Sequence, residues 1–445
     1  MCGIFAAFQA PDAAEVIIRG LHAMQPRAAE YAGIVTFDGE NFPRYADRGQ
    51  VLHVFNDHKL HGLSGNIGLG HIRYSTVTDD PAKDNTQPIL DKHSGVALAH
   101  NGNLTNVAEL RSQLCHVNLT TSMDTELILR RFCTIEGQTS EERILRALTG
   151  VRGSYSLVFL FPDRLVAVRD PSGNRPLCVG RRGQSYFIAS ETCALQAIDA
   201  TVIRDVEPGE ILTISSVGIT PDKTSLAAIA AWPLAHCIFE RVYFGQASSF
   251  MDGDDIARFR ILLGQALEKA CPAPAEVVVP VPDSANFIAI GYGTSGRSGQ
   301  FGLGLIRTHN ERSFIQTDQA QRIRSILSKF QAVPFVIAGK SVALIDDSIV
   351  RLNTAPWVVG LLRRAGAKEV HVRIGFPPIR NPCLYGIDTP IQSELAAARF
   401  SNEEMRTRIG ADTLEFIPLE VLQKLTEKPK NYCYACVTGE YPIPI

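Results

Sequence analysis

The 445-residue sequence predicts two domains of different class: an α+β domain of antiparallel sheets layered with helices, then an α/β domain on a parallel sheet. Three observations predict this. A single hydrophobic core stops growing at roughly 250–300 residues, and this chain is much longer. In the first half, short apolar runs bounded by turn residues read as antiparallel strands. In the second half, continuous apolar strands alternate with helical patterns, as a parallel sheet covered on both faces requires. The rhythm changes near residues 225–240, giving domains of 2–229 and 230–445.

Each element follows from its local pattern. In the first domain strands are expected at 95–99, 156–161, 165–169, 186–190 and 211–214. Helical periodicity marks 13–24, 106–114 and 124–132. Val206-Glu207-Pro208-Gly209-Glu210 is a turn ahead of the last strand. The second domain runs helix 255–270, strand 276–281, strand 342–345, helix 356–365 and strand 369–374.

Composition narrows the function. Apolar residues make up 45% and charged residues 20%, which is ordinary for a soluble globular protein. Lys plus Arg number 44 against 46 Asp plus Glu, so there is no electrostatic footprint for a nucleic-acid partner. No apolar run approaches the length of a membrane span, and no membrane partner is expected. Met1-Cys2-Gly3-Ile4-Phe5 lacks the basic-then-apolar order of a secretory signal, which points to the cytoplasm. Ten cysteines in so long a chain suit catalysis or metal binding better than a disulfide scaffold. Cys115, Cys133, Cys178, Cys193 and Cys271 read as inert thiols.

Cys2 becomes the first residue once Met1 is trimmed. Its own α-amino group, with a pKa of about 7.7–8.0, then stands within reach of the thiol and can serve as general base. That is the N-terminal nucleophile arrangement. A cysteine at position 2 is weak on its own, but Cys2-Gly3-Ile4-Phe5, Gly70-His71-Ile72-Arg73-Tyr74, Gln87-Pro88, Ala99-His100-Asn101-Gly102-Asn103-Leu104 and Asp124-Thr125-Glu126 stand beside it. In order and spacing these stretches resemble the class II glutamine amidotransferase domain, an N-terminal-nucleophile hydrolase fold. The resemblance implies that Cys2 attacks the glutamine side-chain amide. It also implies that Arg73 and Asp124 hold the α-carboxylate and α-amino group, and that Asn101 and Gly102 supply oxyanion donors. Taken singly, Asn-Gly is a turn signal, Arg73 a surface group and Asp124 a helix cap. Two departures stand out. Pro26-Arg27-Ala28-Ala29 replaces the family's His-Arg-Gly-Gln, and Met123 replaces a serine before Asp124. If that glycine needs positive φ, Ala28 forces the loop beside Cys2 to be rebuilt.

In the second domain, strand 342–345 runs into Asp346-Asp347-Ser348-Ile349-Val350-Arg351. An Asp pair alone marks a turn. At the carboxyl end of a parallel strand and before a helix, it lies where α/β sheets bind ligands, and it can grip ribose hydroxyls and a magnesium ion. With Val281-Pro282-Asp283-Ser284, Ala289-Ile290-Gly291-Tyr292, Phe314-Ile315-Gln316, Gly366-Ala367-Lys368-Glu369-Val370 and the stretch from Pro377 to Asp388, this region resembles the type I phosphoribosyltransferase half of the glutamine phosphoribosylpyrophosphate amidotransferases of purine synthesis. The likeness covers essentially the whole chain. It implies Mg2+ on Ser284, Asp346 and Asp347, and phosphoribosyl contacts from Asp346, Asp347, Ser348, Arg351 and Thr354. Departures occur here too. Leu352-Asn353-Thr354 stands for Gly-Thr-Thr, Leu352 forbids conformations that only glycine tolerates, and Thr354 is expected to cap the helix that contains Pro356. Arg307-Thr308-His309-Asn310-Glu311-Arg312-Ser313 and Ser325-Ile326-Leu327-Ser328-Lys329 also differ from the family's substrate loops.

Cys433-x-x-Cys436 is a ligand-pair spacing that by itself allows zinc, redox chemistry or chance. With Cys237 and Cys383 it matches the four thiolates of the family's iron–sulfur branch, implying a structural [4Fe–4S] cluster, with zinc as runner-up. The expected function is glutamine hydrolysis at Cys2, with ammonia channelled to C1 of phosphoribosylpyrophosphate to give 5-phosphoribosylamine, glutamate and pyrophosphate. The resemblance also implies a homo-oligomer. The alternative is a diverged paralogue that keeps the glutaminase and aminates another acceptor.

Overall fold

The computed structural model describes residues 2–55, 62–74, 84–222, 226, 231–294, 296–308, 330–426, 428–443 and 445. Residues 309–329, which include the substrate-loop differences from His309 onward and Phe314-Ile315-Gln316, lie outside the described residues.

The first domain holds two antiparallel sheets built from β1 (Gly3–Phe8), β2 (Tyr31–Phe37), β3 (Arg44–Arg48), β4 (Ile67–Arg73), β5 (Ile89–Asp91), β6 (Val96–Leu104), β7 (Gly153–Leu160), β8 (Arg164–Arg169), β9 (Cys178–Arg182), β10 (Ser185–Ala189), β11 (Thr201–Asp205), β12 (Ile211–Ser215) and β13 (Gly218–Asp222). Their orders are β11-β9-β10-β1-β4-β2-β3 and β13-β12-β8-β7-β6-β5. The two-residue period of a strand decides what each side chain meets. In β1, Ile4, Ala6 and Phe8 face the second sheet, where they pack with Ala97, Ala99 and Val158. Phe5 and Ala7 face outward onto Ile17 and Leu21 of helix Ala13–Ala23. Helices Asp124–Thr134 and Ser140–Leu148 cover the far face of the second sheet. The result is a four-layer α/β/β/α stack with β1 buried on both faces, which is why Gly3–Phe8 reads as an unbroken apolar run.

The second domain carries a five-stranded parallel sheet in the order Gln300–Phe301, Val277–Pro280, Ser341–Asp346, Glu369–Ile374, Thr413–Phe416. Helix Ala355–Arg364 packs on one face and helices Ile256–Ala270 and Asn286–Gly293 on the other. The apolar runs at 277–280 and 342–345 are central strands buried from both sides, as their lack of alternation required. No helix among the described residues is long and apolar enough to cross a membrane.

Candidate active sites and a cysteine-lined cavity

Cys2 enters β1 at the centre of the first sheet, between β10 and β4. Gly3 pairs with Ile72, so Arg73, the next residue of β4, arrives level with Cys2. Arg73 is buried and donates from Nη1 to the Asn85 carbonyl at 2.9 Å. The two sheets are tied beside this point. His71 Nε2 lies 3.1 Å from the His100 carbonyl oxygen, which joins β4 to β6. Burial pushes the His71 ring down to about 3, so it is neutral at working pH and donates from Nε2. The next residue after His100 is Asn101, only 1% exposed, and its side-chain Nδ2 has no hydrogen-bond partner among the described residues. Gly102 follows under a tight constraint: a Cβ there would stand 2.1 Å from the Ser154 carbonyl oxygen.

Asp124 is the first residue of its helix, not its cap. Met123 holds the cap position and contributes no side-chain capping bond. One Asp124 oxygen accepts from the Leu104 N–H at 3.0 Å, and the other lies 3.4 Å from His100 Nδ1. Burial pushes this carboxyl up. His100, the Leu104 N–H and Arg73 outweigh burial and hold it below the usual carboxylate range. The Arg73 charge thus reaches the Asp124 carboxylate. Ala28 is in extended backbone at φ −154°, so the alanine needs no glycine conformation and Arg27 still reaches Cys2.

Sequence reasoning missed a group of buried charges between the domains. Arg27, Glu191, Glu240 and Arg175 are all buried. Arg27 donates to Glu191 Oε1 at 2.5 Å and to both Glu240 oxygens at 3.0 and 2.8 Å. Arg175 Nη1 donates to Glu240 at 3.1 Å, and its Nη2 to the Tyr385 carbonyl at 2.6 Å. Two guanidinium groups thus face two carboxylates, which is how buried charges are tolerated. The only sequence signal was an acidic residue within the apolar run at 237–244.

At the carboxyl end of strand Ser341–Asp346, Asp347 accepts from the Ser284 hydroxyl and, at 2.7 Å, from the Ser348 hydroxyl. The Asp347 N–H donates to Asp346 at 2.9 Å. Burial pushes Asp346 well above the usual carboxylate range, and the Asp347 charge adds to it. Asp347 is raised by burial against the opposing pull of Ser284, Ser348 and Arg260. Arg307, just before the undescribed segment, pairs with Asp283 at 2.9 Å. Arg351 turns to Glu394 at 2.9 Å and to the Asp388 carbonyl at 3.2 Å. Two expectations need correction. Leu352 adopts φ +58°, the left-handed conformation its side chain was expected to forbid. Its side chain packs on the sheet core, which offsets the strain. Thr354 sits at the cap position of helix Ala355–Arg364, but its φ −93° and ψ −46° are already helical and its hydroxyl makes no capping bond.

Strand His236–Cys237 pairs in parallel with Tyr432–Cys433, aligning Cys237 with Cys433. The Arg380 and Asn381 N–H groups both donate to the Cys436 carbonyl, drawing the 383 segment to the chain end. Cys237, Cys383, Cys433 and Cys436 consequently line one cavity, walled by Phe239, Ile379 and Arg175. All four are free thiols. Among the described residues no three His, Cys, Asp or Glu side chains are gathered closely enough to hold a metal ion.

A first domain of antiparallel sheets with Cys2 at the head of its central strand, joined to a second with paired carboxylates at the carboxyl end of a central parallel strand, is the architecture of a glutamine-dependent amidotransferase enzyme. Comparison with known proteins specifies which kind. Residues 71–197 match the glutamine amidotransferase domain family. The chloroplastic amidophosphoribosyltransferase of Glycine max is 42% identical over 99% of this chain and 78% of its own. The amidophosphoribosyltransferase of Methanocaldococcus jannaschii is 41% identical, covering 100% of this chain and 98% of its own. The solved glutamine phosphoribosylpyrophosphate amidotransferase of B. subtilis, in complex with ADP and GMP, superposes with a TM-score of 0.90 at 38% identity, covering 100% of this chain and 98% of its own. A structure described as the allosteric regulatory enzyme of purine biosynthesis reaches 0.91 at 38% identity, covering 100% and 97%. The chain belongs to the amidophosphoribosyltransferase family. These relatives lend no support to the alternative of a different acceptor.

Proposed function

We propose that the chain hydrolyses glutamine at Cys2 and passes the ammonia to C1 of phosphoribosylpyrophosphate, forming 5-phosphoribosylamine, glutamate and pyrophosphate at the entry to purine synthesis. The observation that carries the reading is the buried Nδ2 of Asn101 beside the Cys2 strand, which has no partner among the described residues. A buried donor without a partner costs about 1–3 kcal/mol and is retained where an acceptor arrives during the reaction.

The steps follow from the residues. Arg73 and Asp124 hold the glutamine carboxylate and ammonium. The freed α-amine of Cys2 takes the thiol proton, the sulfur attacks the amide carbon, and the oxyanion accepts from Asn101 Nδ2 and the Gly102 N–H. The amine then protonates the leaving nitrogen, ammonia departs, and water hydrolyses the thioester to glutamate. In the second domain, Asp346 and Asp347 accept from the ribose hydroxyls, while Ser348, Arg351 and Thr354 serve the phosphate end. Hard oxygen donors at Ser284, Asp346 and Asp347 fit magnesium, which takes one or two carboxylates plus phosphate oxygens and supplies charge neutralisation of the departing pyrophosphate. The left-handed Leu352 supports this assignment, since the loop follows a glycine-type path without the glycine.

The domain boundary falls between residues 229 and 230. Cys237, Cys383, Cys433 and Cys436 would hold a [4Fe–4S] cluster. What supports it is an apolar cavity lined by four cysteines, the ligand set of a [4Fe–4S] cluster. Burial pushes the Cys433 and Cys436 thiols up, so as thiolates they need a metal's charge. Iron and acid-labile sulfide in anaerobically purified protein check this, and zinc in their place would overturn it. The same reading makes the enzyme a cytoplasmic homo-oligomer.

The test of the reaction is Cys2→Ala. Glutamine-dependent amination is lost, while ammonia with phosphoribosylpyrophosphate and magnesium still yields pyrophosphate. Glutamate release by the folded variant would sink the reading.

A further inference from the structure

The carbonyl of Cys2 is held by a guanidinium of its own domain that is itself gripped from across the domain boundary. Arg27 Nε donates to it at 2.9 Å. The two remaining nitrogens of that guanidinium form a fork on Glu240, at 3.0 and 2.8 Å. A planar guanidinium gripped at both ends of a carboxylate has its orientation set, and so has the Nε–H that points back to Cys2. Glu240 opens a π-helical turn, Glu240–Phe244, closed by the Gly245 N–H donating to the Glu240 carbonyl at 2.8 Å. Such turns are rare and recur at functional sites. The turn is itself braced by Arg260, whose Nη2 donates to the Gly245 carbonyl at 2.7 Å. Glu191, the other carboxylate on Arg27, spends its second oxygen on Gln246 N–H and Ser249 Oγ of the second domain, at 2.7 and 2.8 Å.

We infer that Glu240 is a positioning residue for glutamine hydrolysis, lent to the first domain by the second: it fixes Arg27, and Arg27 fixes the main-chain carbonyl of Cys2. The inference rests on Cys2 being the nucleophile. The thiol-bearing Cβ and the freed amine are both substituents of the Cys2 Cα. A hydrogen bond that sets the adjacent carbonyl plane therefore aims nucleophile and base together. The two domains also meet through contacts that do not touch Cys2, such as Arg169–Asp252 at 2.8 Å and Ser154 Oγ donating to the Tyr385 carbonyl at 2.7 Å, so the bond from Arg27 to Cys2 is an additional feature.

The test uses the full chain with Met1 removed. Glu240→Gln keeps the shape and withdraws the charge. Its kcat for glutamate release is expected to fall about a hundredfold, because small misplacements at a reacting centre have effects of that size. KM for glutamine stays within about threefold, since Arg73 and Asp124 still bind the amino acid. Ammonia-dependent pyrophosphate release is unchanged and certifies the fold. The pH profile of Cys2 alkylation by iodoacetamide shifts, which a purely structural role would not produce. A folded Glu240→Gln with the parent kcat overturns the inference. If that variant does not fold, Glu240→Asp decides, since it keeps the charge on a side chain one methylene shorter. A lowered glutaminase kcat with intact ammonia-dependent activity supports the inference. The parent rate overturns it, and so does failure of both variants to fold, because the group would then act on stability alone. Glutamate release by Cys2→Ala would instead remove the proposed function, which keeps the two failures distinct.

Discussion

Leu352 is a residue whose sequence neighbours and backbone disagree. The loop after Asp346-Asp347 needs a left-handed residue, and this chain places a leucine there at φ +58°. Left-handed backbone costs a side-chain-bearing residue about 1–2 kcal/mol, and packing of the leucine on the sheet core offsets part of that. Truncation separates the two effects. Leu352→Ala loses the packing and keeps the strain. Leu352→Gly loses both. The glycine variant is therefore expected to be more stable than the alanine variant by about 1 kcal/mol, read as the difference in denaturation midpoints. An alanine variant at least as stable as the glycine variant would contradict the account.

At the level of elements, the segment 383–388 serves two sites. Cys383 faces the cysteine-lined cavity. A few residues on, the Leu384 carbonyl accepts from Asn103 Nδ2 at 2.9 Å and the Tyr385 carbonyl from Ser154 Oγ at 2.7 Å. Gly386, at φ +106°, presses on β6 so closely that a Cβ would lie 3.0 Å from the carbonyl of Gly102. Both neighbours are backbone, so one must move. Gly386→Ala is expected to lower the kcat of glutamine hydrolysis by about tenfold or more through displacement of Gly102. Ammonia-dependent amination should survive. An unchanged rate of glutamate release would show that this contact does not support the proposed oxyanion donors.

For the whole molecule, the interface between the domains carries a pH dependence. Asp205 of β11 accepts from the Asp252 N–H at 2.9 Å, and the Asp252 carboxylate pairs with Arg169 at 2.8 Å. Burial, and then the charge of Asp252, push the Asp205 carboxyl up to about 6. An unfolded aspartate titrates at about 3.9, so the folded chain binds this proton more tightly, and stability falls as pH rises between the two values. Asp205→Asn keeps an acceptor for Asp252 and removes the charge. Its thermal midpoint should match the parent at about pH 4, rise above it as pH increases, and level off near about pH 7. A constant offset at all pH values would assign the effect to packing instead.

Much of this protein was legible in the sequence, for identifiable reasons. Strand periodicity and unbroken apolar runs are local properties, so the antiparallel first domain, the parallel second and most helices could be read directly. Candidate residues that lie close along the chain, such as Asn101 beside Gly102, could be named from the sequence too. The cysteine spacing marked its own grouping. What stayed hidden depends on distance along the chain. Arg27 and Glu240 are 213 positions apart and meet only because the π-helical turn and the domain packing bring them together. His71 and His100 join two sheets, and neither sheet's pattern reveals the other. The left-handed Leu352 contradicts its own local preference, and only packing on the sheet core explains why it holds. By itself the sequence determined the two fold classes and the family, because these are written in short-range pattern and chemistry. Tertiary structure alone decided which buried charges neutralise one another and how the second domain reaches the first, since those depend on contacts that form only when the chain is folded.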